Sequence, residues 1–165
     1  MQLLLIRHGI AEDTAPSGGG DAERALTDDG ARRLRKGANR LRMQFERLDH
    51  VLCSPYRRTR ESAAILCAAW GLAAPQTIAG CTPHDAPEDV LPVLAGLDPD
   101  AHVALVGHEP HLGCLAGLLL SGSAEPLLRL RKGGAALIVF PGAPAAGTGR
   151  LHWALTAGQM RALRD

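Results

Sequence analysis

Aromatic residues are scarce in this chain: two Phe, two Trp and one Tyr among 165 residues. That argues against a surface that stacks single-stranded bases. An excess of charge is missing as well. Eighteen Lys and Arg face seventeen Asp and Glu, so the formal net charge is +1 and no global field favours nucleic acid. There are four cysteines, Cys53, Cys67, Cys81 and Cys114, none of them in a CxxC pair, and three lie inside apolar stretches. They read as buried, reduced thiols of a cytosolic protein. Long apolar runs are also lacking. The run 3–6 is too short for a secretory core and is broken by Arg7. The stretch "CLAGLLL" falls far below the length of a membrane span. The expectation is a soluble, cytoplasmic protein with no membrane and no nucleic-acid partner.

What is present suffices for a core. Hydrophobic residues make up 46% of the chain, and 165 residues fit one domain, 1–165. Residues 2–6, 50–54 and 102–108 read as strands buried on both faces of a parallel sheet. Residues 10–26, with "PSGGG", read as a loop. Thr27 is a natural N-cap for a long helix whose apolar face is Ala31, Leu34, Ala38, Leu41, Phe45 and Leu48. Ser54 and Pro55 read as the N-cap and first residue of a helix to Trp70, with Gly71 as its stop. A short strand at 75–79, a short helix at 86–96 and a helix from Pro110 to residue 120 follow. Two strands at 135–140 and 150–156 read as an antiparallel hairpin before a C-terminal helix. The alternation predicts an α/β protein: a three-layer α/β/α sandwich around a mostly parallel sheet.

Polar residues gather where the buried strands end. The first strand ends in Arg7-His8-Gly9, the second feeds a helix carrying Arg57 and Arg58, and the third ends in Gly107-His108-Glu109-Pro110. In an open α/β sheet the carboxyl ends of the strands share one edge, and ligands bind there. Helix N-termini at that edge favour anions. Two guanidiniums give planar, two-pronged donation to phosphate oxygens. A neutral imidazole can attack phosphorus. Gly9 is expected to let the backbone turn sharply and approach a phosphate.

The three segments "LIRHG", "SPYRRTRES" and "LVGHEP", in this order, resemble the histidine phosphatase superfamily, also called phosphoglycerate mutase-like or RHG. The short length, "ERALTDDG" and "VGHEPHLG" are most similar to its SixA-type phosphohistidine phosphatases. The resemblance implies a phosphoglycerate mutase-like fold and a metal-independent phosphatase without cofactor. It puts the nucleophile on His8, the second histidine on His108 and the phosphate-binding arginines on Arg7 and Arg58. Arg57 is then a neighbour of undecided role. Arg24, in a family-like R-x-L-T-x-x-G segment, either lines the site or forms a structural ion pair, and Lys132 reads as hairpin structure first. His84 and Asp85 are weak candidates for a general acid.

The resemblance implies hydrolysis of phosphohistidine on a phosphotransfer or signalling protein by way of phospho-His8, with the chain acting as a monomer. A weaker bond to a leaving imidazole makes a strong acid less necessary, and a chain this short has few residues left for a lid. A small-metabolite phosphomonoesterase with the same His8 chemistry is the alternative. The pair His108 and His111 has an H-x-x-H spacing, but it is not the H-E-x-x-H motif of a zinc hydrolase. A phosphate-binding module without catalysis would not need the nucleophile.

Overall fold

The computed structural model describes residues 1–164. Six strands form one sheet: β1 (Gln2–Arg7), β2 (His50–Cys53), β3 (Gln76–Thr77), β4 (His102–Gly107), β5 (Ala135–Val139) and β6 (Arg150–Leu155). Their spatial order is β3-β2-β4-β1-β5-β6. The pairs β1/β4, β2/β4 and β2/β3 are parallel, and β5 is antiparallel to both β1 and β6. Only β5 therefore runs against the others, and the mostly parallel α/β architecture holds.

The uninterrupted apolar character of β1 follows from burial on two faces, because successive side chains point to opposite sides. Leu3 and Leu5 enter one core with Leu94, Leu112, Leu115 and Leu119. Leu4 and Ile6 enter the other with Ala38, Leu41, Leu66 and Met160. The second layer is supplied by α1 (Asp28–Gln44), α2 (Arg57–Trp70) and α5 (Ala157–Ala162). The first is supplied by α3 (Leu91–Ala95) and α4 (His111–Ser121). This is the expected three-layer sandwich.

Several boundaries differ from the sequence reading, each for a local reason. Helix α1 is capped by Thr27, whose hydroxyl accepts from the Gly30 amide at 2.9 Å, but it ends at Gln44. Phe45 is its C-cap and Leu48 packs from the loop beyond. Tyr56, not Ser54, is the N-cap of α2, because Ser54 is still paired to β4 through its amide. Residues 86–96 divide into a 3-10 turn, Pro87–Val90, and α3, with Pro92 in the first turn of that helix. The loop 10–26 contains two 3-10 turns, Pro16–Gly18 and Asp21–Glu23, and is closed by a bridge between Ala11 and Leu26. All four cysteines are free thiols, and Cys114 is only partly buried. Among the described residues no helix is long and apolar enough to cross a membrane.

Candidate active site

Sheet register brings the polar residues to one level. Arg7 stands opposite Gly107, and Cys53 opposite Val106, so Arg7-His8, Ser54 and His108 leave the sheet together. The Arg7-His8 backbone is fixed from both sides. His8 donates its amide to Gly107 O at 3.1 Å, and Arg7 donates to Gly134 O at 3.0 Å. The Gly133 amide donates back to Arg7 O and His8 O. A rigid peptide here holds both side chains in place without help from a flexible loop.

Gly9 differs from expectation. Its φ is not in the left-handed region, so it is not a sharp turn. It is small because the chain is crowded: a Cβ there would lie 3.3 Å from Leu26 and 3.4 Å from Gly30 O. Its amide donates to Ser62 Oγ at 3.1 Å, and Ser62 donates on to Arg58 O at 2.7 Å. Gly30 is tighter still, since a Cβ would sit 2.1 Å from Ile10 O.

His8 is buried, and its Nδ1 lies 2.7 Å from Gly9 O. A carbonyl oxygen can only accept, so Nδ1 carries the hydrogen and Nε2 keeps a free lone pair in the neutral ring. Burial, opposed by that hydrogen bond and aided by the charges of Arg58, Arg7 and Lys132, pushes the His8 pKa down to about 4. The ring is therefore a free base at neutral pH. His108 is also buried, with its ring centroid 5.3 Å from that of His8. Burial, then the charges of His8 and Arg58, lower its pKa to about 3. Its Nε2 is 2.9 Å from Ser54 Oγ, and the Tyr56 ring meets it edge-on at 4.9 Å.

The arginines separate clearly. The Arg58 side chain is only 5% exposed. Its guanidinium donates to Asp21 O at 2.6 Å and Asp21 Oδ2 at 2.8 Å, and lies over the Tyr56 ring. Arg57 turns to Glu61 at 2.8 Å, and Glu61 in turn accepts from the Leu26 amide. Arg57 is thus part of the brace between α2 and the loop 10–26. Arg24 forms an ion pair with Asp21 at 3.2 Å, one partner removed from Arg58. Arg7 donates to Leu130 O at 3.0 Å, while Glu109 accepts from Leu130 N at 2.8 Å. The two side chains hold Leu130 by its carbonyl and its amide. Lys132 lies in the loop before β5 rather than in the hairpin; it lines a cavity with Arg7, and its charge helps lower the His8 pKa.

Arg7, His8, Arg58 and His108 converge, as their positions in the sequence implied. His84 and Asp85 are less apt as acids. His84 is exposed, and Asp85 accepts from the Thr82 amide at 2.8 Å, which holds its carboxyl below the usual range. Asp21, Ser54, Ser62 and Glu109 were not anticipated in these roles. Ser54 carried a signal, a hydroxyl at the strand edge, but it read as a helix cap. Asp21, inside a glycine-rich loop, carried none.

Two imidazoles and the guanidiniums of Arg7 and Arg58 meet at the carboxyl edge of the sheet, an arrangement whose donors suit an anion. Residues 3–81 match the family model of the histidine phosphatase superfamily, branch 1. An uncharacterized protein of Picosynechococcus is 37% identical over 136 residues, covering 81% of this chain and 82% of its own. The structure of the protein histidine phosphatase SixA complexed with tungstate superposes with a TM-score of 0.84 at 25% identity, covering 97% of this chain and 99% of that one.

The chain belongs to the histidine phosphatase superfamily.

Within it, this phosphatase has the SixA-type fold. A mycobacterial glucosyl-3-phosphoglycerate phosphatase in complex with inorganic phosphate also superposes, with a TM-score of 0.69 at 18% identity, covering 94% of this chain and 98% of that one. At that identity the likeness is one of fold. As a hydrolase of this superfamily the chain acts on a phosphoryl group.

Proposed function

We propose that this phosphatase removes phosphate from phosphohistidine on a phosphotransfer or signalling protein, through a covalent phospho-His8 intermediate. The observation that carries the reading is the Nδ1 hydrogen bond of His8 to Gly9 O, which leaves Nε2 as the nucleophile. The Nε2 lone pair forms the new N–P bond. The P–N bond to the substrate breaks, and its electron pair stays on the leaving imidazole. A substrate ring protonated on its other nitrogen departs neutral. Water then attacks phosphorus, returning His8 and releasing phosphate with a proton. Arg7, Arg58 and His108 stabilise charge on the equatorial oxygens. Arg24 acts at one remove, by fixing Asp21 beside Arg58.

Two observations favour phosphohistidine over a sugar phosphate. The structure of the protein histidine phosphatase SixA covers 97% of this chain. Asp85 is held as a carboxylate, which suits a leaving group that needs no acid. A small-metabolite phosphatase with the same His8 chemistry is the second reading; the shared fold with a glucosyl-3-phosphoglycerate phosphatase is compatible with it. On the first reading, residues 1–165 act as one monomeric catalytic domain in the cytoplasm, without a metal.

The test is phosphate release from a histidine-phosphorylated protein by the wild type and His8→Ala, each with and without chelator. Release by the wild type that persists with chelator and is lost in the variant is the expected result. Turnover of an aryl phosphate that needs His8, with no release from phosphohistidine, would leave the chemistry and refute the substrate.

A further inference from the structure

The loop 126–132, "PLLRLRK", runs beside Arg7, and two cavities share its basic end. One, of about 610 Å³, is lined by Arg7, Ile10, Arg129, Leu130, Arg131 and Lys132. The next, of about 400 Å³, shares Ile10, Arg131 and Lys132 with it and adds Arg33 and Arg161. Together they form a trough running from Arg7 to α5. Six cations line it, and no carboxylate does, among the described residues. In a chain with a formal net charge of only +1 this is a marked concentration. Arg33 is paired to Asp29 of its own helix, but Arg129, Arg131 and Lys132 stand exposed at the trough wall.

The other side of Arg7 is different. There a cavity of about 540 Å³ is lined by Pro110, Pro126, Leu127 and Leu128 together with Arg7, Glu109 and Arg129. Leu127 is 55% exposed, a large apolar side chain offered to solvent. One loop thus presents an apolar shelf on one side of the phosphate-binding arginine and a basic trough on the other. A small phosphorylated metabolite would cover the neighbourhood of Arg7 and leave most of this surface unused. A polypeptide lying across the site would use both sides.

We propose that the trough formed by Arg129, Arg131, Lys132, Arg33 and Arg161 is a docking subsite for acidic side chains flanking the phosphorylated residue of a protein substrate. The proposal rests on the phosphoprotein reading above and adds the character of the partner: carboxylates on one side of its phosphorylated residue, an apolar group on the other. Opposite charge aligned this way raises encounter rate and fixes register. It also suppresses binding of basic segments.

The probe is a short, labelled, unphosphorylated peptide rich in Asp and Glu, compared with its Asn and Gln counterpart, and titrated onto the full chain by fluorescence anisotropy. The expected result is that the acidic peptide binds about tenfold tighter than the amide peptide, and that its binding weakens as salt rises. The double variant Arg131→Gln/Arg161→Gln should weaken it about fivefold. The same variant should hydrolyse an aryl phosphate within about twofold of wild type, since the cations that act on His8 are Arg58, Arg7 and Lys132, all retained. Equal binding of the two peptides, or unchanged binding to the double variant, would overturn the proposal. So would inorganic pyrophosphate binding that needs Arg131 and Arg161 when the acidic peptide does not bind. The probe carries no phosphohistidine, so this outcome is independent of whether phosphohistidine is turned over.

Discussion

Mild acid should destabilise this fold, and two side chains should account for most of the effect between neutral pH and about pH 5. An ordinary histidine titrates at 6.5, but burial holds His8 at about 4 and His108 at about 3. Both native pKa values lie below the unfolded one. Their contribution is therefore fully present above 6.5 and is lost as pH falls through 6.5 towards 4 and 3, because the unfolded chain binds protons that the folded chain refuses. At pH 5 each ring forgoes about 1.5 units of proton binding at about 1.4 kcal/mol per unit, or about 2 kcal/mol. The two give about 4 kcal/mol, a large share of the 5–15 kcal/mol at which domains of this kind are stable, roughly. Their rings lie 5.3 Å apart and each disfavours a charge on the other, so single substitutions should not add. His111 shifts the same way and remains in every variant, while burial raises Glu109, which opposes the loss. The assay is urea unfolding at neutral pH and at about pH 5, for wild type and His8→Asn/His108→Asn. The double variant should lose about 4 kcal/mol less than wild type over that interval. A double variant that loses as much would refute the account, whatever its absolute stability.

Four further outcomes are expected. Arg58→Lys should lower kcat/KM on an aryl phosphate by about 10- to 100-fold, because an ammonium cannot donate in the planar, paired manner. Arg57→Gln should change it by no more than about twofold, since that side chain serves Glu61, and a partly exposed pair is worth about 0–1 kcal/mol. Ser54→Ala removes the partner of His108 Nε2 and should lower kcat about tenfold with little change in KM, which steady-state kinetics would separate. Gly30→Ala would force a methyl group to 2.1 Å from Ile10 O and should cost more than about 3 kcal/mol, visible as a much lower melting temperature; an unchanged one would refute the close approach.

Much of the site was legible because it depends on where strands stop. Buried parallel strands are unbroken apolar runs, and a cation and an imidazole directly after such a run must lie at the sheet edge. That placed Arg7, His8 and His108 without any knowledge of their contacts. Thr27 and Gly71 were legible because caps use local chemistry: a hydroxyl that reaches the third amide, and a residue free to adopt φ of 73°. What was not legible joins residues distant in sequence. Asp21 meets Arg58 across a loop with no periodicity, and Ser54 meets His108 across two strands. Gly9 was noticed but misread, because crowding by Leu26 and Gly30 is a tertiary fact. The resemblance selected Arg58, but the role of Arg57 stayed open until its partner Glu61, which also holds the Leu26 amide, was seen.

The same burial that makes His8 a free base poses a question about His108, which a site for anions would be expected to keep charged. Burial first, then the neighbouring His8 and the Arg58 guanidinium, disfavours a charge on His108 out of water. A phosphoryl dianion placed between Arg58 and His108 reverses that balance. It supplies the opposite charge whose attraction offsets desolvation, so proton uptake by His108 and anion binding become linked. On the proposed function, His108 would then donate to a phosphoryl oxygen only when one is there. His8 keeps the lone pair on Nε2 meanwhile, because its own Nδ1 hydrogen is committed to Gly9 O. On the proposed reading, one imidazole attacks while the other takes up a proton, although both start neutral. The difference between them comes from their partners: a carbonyl that can only accept for His8, and a serine hydroxyl that can donate or accept for His108.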